Sequence, residues 1–296
     1  MKYCTNLWKI DRSVLLLVGC FLDLVLPGQG LNNLWLGGHQ SWAGLPHGGT
    51  DINFLTGVPV ISYVSRDINY RTTTANITDG SGNLLFSTNG AFLGDINGDT
   101  LLNGTGINPS EYTSDYTDIG LFLTQSQLIL PKPGSPNIYY LIHGTLDNDM
   151  TNSADYLYVS IIDMTLNGGL GAVETKNQVV IQDVLNVGKI TAVRHANGRD
   201  WWVFCHGVNT SLFYRLLLTP QGVSIDGTQN IGIVRPPDLG QVCFSPDGSK
   251  FAYYWGETDL EIFDFDRCTG LFSNPVFISI EDDNFNSGVA FSPNNR

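Results

Sequence analysis

Positive charge is scarce in this sequence. Fifteen Lys and Arg stand against 28 Asp and Glu, a formal net charge of −13, and charged residues make up only 15% of the 296 positions. Binding to a phosphate backbone needs clustered cations, and here they are scattered, so nucleic acid is not an expected partner. Helix formers at helical spacing are also lacking, which argues against an α-helical core. The five histidines show no HExxH or other close metal spacing, and no GxSxG elbow presents a nucleophilic serine. Beyond residues 13–27 no apolar run approaches the roughly 20 residues that a membrane helix requires.

What the chain has in abundance is glycine (33) and aromatic residues (12 Tyr, 15 Phe, 6 Trp). That combination favours β-strands joined by many tight turns. The first thirty residues differ from the rest. Lys2, Lys9 and Arg12 precede the apolar SVLLLVGCFLDLVLP, and the small residues Gly28 and Gly30 follow. Residues 1–30 therefore read as a secretory signal peptide, with a mature domain over 31–296 and a secreted or outer-surface location. A second reading makes Leu17-Val18-Gly19-Cys20 a lipobox with Cys20 lipidated, although the apolar FLDLVLP after it is unlike the usual polar tether. Asp23 and Pro27 interrupt a run already too short to anchor the chain, so no transmembrane segment is expected once the signal is removed. Cys205, Cys243 and Cys268 remain in the mature domain, an odd number from which one disulfide could form in any pairing.

Two turn types recur along the mature chain. One runs from glycine into an aromatic strand: DGSGNLLFSTNG (Gly80), PGSPNIYYLIHG (Gly134), NGRDWWVFCHG (Gly198) and DGSKFAYYW (Gly248), with SPNNR starting another copy. The other follows an acidic strand and places glycine at 57, 106, 168, 222 and 270, so the two series alternate without a miss. A period of about fifty residues with paired turns is the size of a four-stranded propeller blade. The spacing predicts an all-β fold, a β-propeller of four-stranded antiparallel blades. Four units are complete, around Gly80/Gly106, Gly134/Gly168, Gly198/Gly222 and Gly248/Gly270; an irregular one spans 31–66, and the start of a sixth stops at Arg296. The expected propeller is thus C-terminally truncated, and its last blade is expected to expose apolar surface and promote association. A two-sheet sandwich is the alternative, but it would not explain paired turns at that period.

The order DINFLTGVPV, ITDGSGNLLFSTNG, LPKPGSPNIYY, TAVRHANGRDWW, FSPDGSKFAYY and FDFDRCTG resembles the N-terminal propeller of secreted, surface-associated Bacteroidetes proteins. Many of these end in a type IX secretion sorting domain or a gliding-motility-associated C-terminal domain. FSPDGSK alone is shared with TolB-like and WD40-like propellers generally. The resemblance spans almost the whole mature chain and implies export to the cell surface without naming a ligand; no sorting domain is part of this sequence.

Candidate chemistry is sparse. Asp95, Asn97, Asp99 and Asn103 in DINGDTLLN fall at positions 1, 3, 5 and 9 of a calcium loop, but position 12 is Gly106 rather than a bidentate carboxylate. Asn97-Gly98 also reads as a type I′ hairpin turn, the stronger of the two readings. DNDMTNSAD, with Asp147, Asp149 and Asp155, is a comparable acidic loop. Of the five histidines, His195 and His206 flank one hairpin and could meet in space, although a satisfied strand-end histidine is the commoner reading at such sites. SPDGSKF is similar to the Asp boxes of sialidase propellers, but Gly248 directly after Asp247 breaks their spacing. In a propeller the first strand of each blade lines the channel, where Gln125, Thr191 and Gln241 present uncharged groups. These features favour a non-catalytic exported module, without a cofactor, that binds surface carbohydrate or protein or acts as a scaffold. The alternative is a propeller hydrolase or lyase acting on extracellular polysaccharide or peptide.

Overall fold

The structure, a computed structural model, describes residues 33–148, 152–237, 240–255, 259–280 and 288–295. The signal-peptide expectation for residues 1–30 lies outside them. No helix among the described residues is long and apolar enough to cross a membrane.

Strands β1 (Leu34–His39), β2 (Gly48–Asn53) and β3 (Val60–Val64) form a first antiparallel sheet. Strands β4 (Ala75–Thr78), β5 (Leu84–Thr88) and β6 (Leu93–Gly94) form a second, followed by one short helix, α1 (Glu111–Asp115). Three four-stranded meanders come next. The third sheet holds β7 (Gln127–Pro131), β8 (Ile138–His143), β9 (Ser153–Asp163) and β10 (Ala172–Asn186). The fourth holds β11 (Thr191–Arg194), β12 (Trp201–His206), β13 (Thr210–Thr219) and β14 (Gly222–Arg235). The fifth holds β15 (Gly240–Phe244), β16 (Lys250–Trp255), β17 (Asp259–Asp266) and β18 (Leu271–Ser279).

The predicted turns are where the backbone requires them. Gly134, Gly198 and Gly248 join the first two strands of the last three sheets with φ of 77°, 73° and 71°, a region that favours glycine. Gly168, Gly222 and Gly270 do the same between their third and fourth strands. In the second sheet Gly82 (φ 85°), not Gly80, takes the left-handed position, because Asp79 caps the turn by accepting from the N–H groups of Ser81 and Asn83. The unit around Gly80/Gly106 departs from expectation, with three strands and a β6 of two residues. Gly90, Gly98, Asn103 and Gly106 all have positive φ within seventeen residues, which a continuous strand cannot accommodate.

Successive sheets pack face to face through separate apolar clusters. Ile77, Phe86 and Leu93 of the second sheet meet Leu141 and Ile162 of the third. Ile142 and Val159 of the third meet Val203, Cys205 and Leu216 of the fourth. Alternation along β12 sends Val203 and Cys205 to one neighbour and Trp202 and Phe204 to the other, where they join Phe251, Tyr253, Phe263 and Phe272 of the fifth. Each of these middle sheets is thus buried on both faces, which a two-layer sandwich does not do. Burial of a side chain the size of phenylalanine contributes about 1.5–3 kcal/mol, so the aromatic seam between the fourth and fifth sheets is a principal source of stability. Beside β15, the Val289 N–H donates to Gln241 Oε1 at 2.9 Å, and the Ser292–Asn295 turn repeats the i to i+3 closure of Ser245–Gly248.

Candidate active site

The candidate chemistry lies at the two ends of the connection between β8 and β9, around Asp147 and Asp155. Pairing of Asp147 N–H to the Ser153 carbonyl (3.1 Å) folds this connection back on itself and turns the Asp147 carboxylate toward the start of β9. There its Oδ2 accepts from the Asp155 N–H at 2.9 Å. Burial raises the Asp147 carboxyl to about 6, and the neighbouring charge of Asp155 pushes in the same direction. Tyr156 and Tyr158, two residues apart and so on one face of β9, stack with centroids 5.5 Å apart, and His143 continues the row 5.6 Å from Tyr158. Burial and the Asp147 charge lift the Tyr158 hydroxyl to about 12.

A cleft of about 490 Å³, lined by neither Asp147 nor the two tyrosines, meets this row through the bond between Asn108 and His143. Phe92 and Ile107 supply apolar surface, and Asn108, Ser110, Thr113 and Thr117 supply polar groups. Ser110 caps α1 by accepting from the Thr113 N–H at 3.0 Å, and the Thr113 and Thr145 hydroxyls meet at 2.8 Å, which links the cleft to the Asp147 connection. His143 braces the two from behind. Its Nδ1 lies 2.7 Å from Asn108 Oδ1 and its Nε2 2.9 Å from Ser160 Oγ. The Asn108 amide orientation is fixed by donation of its Nδ2 to the Gly90 carbonyl, so the imidazole carries its proton on Nδ1 and accepts from Ser160 at Nε2. Full burial lowers its pKa to about 3, which keeps it a neutral strut and not a titrating acid or base.

The residues expected from sequence are arranged differently. Asp95 Oδ1 accepts from the N–H groups of Asn97 (2.8 Å) and Asp99 (3.1 Å), and the Gly98 N–H closes on the Asp95 carbonyl. Gly98 has positive φ and Asn97 does not, so the turn is a three-residue hairpin, not type I′. Asn103 turns its side chain toward the Val173 carbonyl, away from that turn. Of the second acidic loop, Asp147 and Asp155 come together and Asp149 lies outside the described residues. Among the described residues no group of three or more His, Cys, Asp or Glu could hold a metal ion. His195 and His206 do not meet. They sit at opposite ends of β12, whose six residues span about 20 Å. Gln125 reaches the Val242 backbone through both amide atoms (2.9 and 2.8 Å), tying the entry to β7 to β15. Cys205, Cys243 and Cys268 form no disulfide among the described residues.

Around His206 the fold gathers a cluster whose other members the sequence does not point to. His206, 2% exposed, has neither ring nitrogen hydrogen-bonded among the described residues. It packs on Phe213 and Tyr253, and the Tyr253 ring lies 3.9 Å from the Arg235 guanidinium and 4.7 Å from Lys189 Nζ. Arg235 is ion-paired with Glu261. Burial, with the charges of Arg235 and Lys189 behind it, lowers His206 to about 3.

No protein-family model matches the chain, and no curated protein matches it. Solved structures similar to it include a functionally unknown protein from Desulfotomaculum acetoxidans, 12% identical over 82% of this chain and 68% of that one, with a TM-score of 0.39. The periplasmic gluconolactonase of Pseudomonas aeruginosa is 12% identical over 86% and 83%, also at 0.39. A provisionally named 6-phosphogluconolactonase from Bacteroides fragilis is 12% identical over 88% and 85%, again at 0.39. The expectation of a non-catalytic surface module is corrected at this point. Two of these neighbours carry a lactonase name, the finding that overturns it and sits with the hydrolase alternative. The expectation of no enzyme activity has no support from these neighbours.

Proposed function

We propose that the protein is an exported hydrolase of propeller architecture, acting on a polyhydroxylated, sugar-like substrate with Asp147 as its general acid and base. The observation that carries this reading is the half-buried Asp147 carboxyl, raised to about 6 beside Asp155 at the edge of the stacked Tyr156–Tyr158 row. A carboxyl titrating near neutral pH exchanges its proton in both directions. In its ionised form it takes a proton from the attacking water, whose oxygen bonds to the electrophilic carbon. In its protonated form it gives a proton to the departing oxygen as the bond from that oxygen to the carbon breaks, so the product side gains the elements of one water, as two molecules from a chain or one hydroxy acid from a lactone. Tyrosine rings suit the apolar face of a sugar, and the hydroxyls of Ser110, Thr113 and Thr117 in the adjoining cleft suit its hydroxyl groups. The five sheets are read as consecutive blades about one axis, with residues 288–295 as the first strand of a sixth. Export is supported by the basic, apolar and small-residue order of residues 1–30.

The test is a panel of neutral and acidic polysaccharides assayed for released reducing ends, with sugar lactones assayed for acid release. Wild-type protein is expected to turn over at least one of them, and Asp147→Asn is expected to lower kcat about 10²–10⁴-fold, the usual contribution of a positioned acid–base group. No turnover by the wild type, or full activity in Asp147→Asn, defeats the reading.

A further inference from the structure

The far end of the third and fourth sheets carries a groove that the hydrolase reading does not use. It lies at the turns between β7 and β8 and between β11 and β12, about 20 Å along β8 from His143. Its volume is about 470 Å³, and its lining includes Pro131, Lys132, Pro136, Arg194 and Arg199 with no acidic residue. Three of the chain's 15 basic residues thus converge on one hollow of a protein whose net charge is −13.

The cations are held in place. The Arg194 guanidinium stacks on Trp201 with 3.8 Å to the ring centroid and donates from Nη1 to the Arg199 carbonyl at 2.8 Å. The Arg194 carbonyl in turn accepts from Arg267 Nε at 2.8 Å. Arg199 is gripped through Nε (2.7 Å) and Nη2 (3.0 Å) by Asp200, a buried carboxylate, while its side chain stays 59% exposed. Positioned guanidinium groups recognise planar or tetrahedral oxyanions through paired hydrogen bonds.

We propose that this groove binds the carboxylate or sulfate groups of an acidic polysaccharide. An extended peptide is disfavoured by the backbone. The turn N–H groups are already spent, Lys132 on the Ile138 carbonyl, Ser135 on Lys132, His195 on Asp200 and Gly198 on His195, so no strand edge is open for backbone pairing. A sugar ring needs no such edge. It lies against the flat faces of Pro131 and Pro136 while its acid group meets the cations. This assignment stands whether or not Asp147 is catalytic.

Affinity electrophoresis or calorimetry on the full chain, with polygalacturonate, dextran sulfate, neutral dextran and poly-glutamate at low salt, tests the proposal. Retention by polygalacturonate, dextran sulfate or both is expected, weakening as salt rises, with no retention by neutral dextran. The two charged glycans separate carboxylate from sulfate recognition. Lys132→Glu with Arg199→Glu is expected to weaken binding at least tenfold, and the milder Lys132→Gln severalfold with an unchanged melting temperature. Asp147→Asn is expected to bind as the wild type does. The proposal is overturned by equal binding of neutral dextran, by poly-glutamate binding as tightly as the glycans, by unaltered binding in folded groove variants, or by no binding of either charged glycan.

Discussion

The protein is expected to lose stability as the pH falls from about 6.5 toward 4, and His206→Phe is expected to remove more than half of that loss. His143 and His206 both hold folded-state pKa values near 3, against about 6.5 for an unfolded histidine. Above pH 6.5 the ring is neutral in both states and contributes no pH dependence. Below it the unfolded chain takes up a proton that the folded chain refuses, so stability falls with pH until the folded pKa is reached. With two such groups the slope is at most about 2–3 kcal/mol per pH unit. Asp147 works in the opposite sense. Its raised pKa favours the folded state on acidification between about 6 and 4, which offsets part of one histidine's effect. The carboxylates held low, Asp79, Asp200 and Asp266 among them, act only near and below pH 4. Phenylalanine at 206 retains the packing against Phe213 and Tyr253 and removes ring nitrogens that have no partner among the described residues. It should therefore fold at least as well at pH 7. His143→Gln, by contrast, gives up the bonds to Asn108 and Ser160 and should lose about 1–3 kcal/mol at pH 7, a deficit that shrinks as the pH falls because the proton-refusing imidazole is gone as well. Denaturant titrations between pH 4.5 and 7.5 check both variants; a wild-type stability flat across that range would contradict the account.

The second large effect is expected at the ion pair between the fourth and fifth sheets. Arg235 ends β14 fully buried, Glu261 lies in β17 at 2% exposure, and Glu261 Oε2 also accepts from the Ile233 N–H at 3.4 Å. Burial raises the Glu261 carboxyl, and Arg235 opposes that rise. Glu261→Ala takes one counter-charge away from a guanidinium closed to water, and breaking a buried pair in this way costs about 3–5 kcal/mol. For a chain of this size that corresponds to a drop in Tm on the order of 10 °C. Replacing both partners, Arg235→Met with Glu261→Leu, should recover most of the loss, because neither charge is then left without its counterpart. Thermal melts of the single and double variants measure the difference. A double variant as unstable as Glu261→Ala would show that the pair acts through something other than mutual neutralisation.

The repeating architecture was legible in the sequence because tight turns constrain residue type locally. Gly134, Gly198 and Gly248 had to be glycine or a close substitute, and their spacing with Gly168, Gly222 and Gly270 laid out three sheets strand by strand. Where several positive-φ residues crowd together, between Gly90 and Gly106, the same signal misled, since it marks turns without telling whether strands of useful length lie between them. Site chemistry was much less visible. Asp147 and Asp155 stood out as an acidic loop, but the shift of Asp147 comes from burial, which no local pattern encodes. The Arg235–Glu261 pair and the groove of Lys132, Arg194 and Arg199 join residues from different sheets, so only the packing of one sheet on the next brings them together. His195 and His206 were close in sequence and far apart in space for the converse reason, since an extended strand separates its own two ends.

The most direct measurement of the catalytic assignment is the pH dependence of kcat/KM for whichever substrate the panel identifies, taken from pH 4.5 to 8. The account predicts an inflection at about 6 for the wild type, from the raised Asp147 carboxyl, and its disappearance in the residual activity of Asp147→Asn. An inflection that persists unchanged in Asp147→Asn, or a wild-type profile with no break near 6, would contradict it.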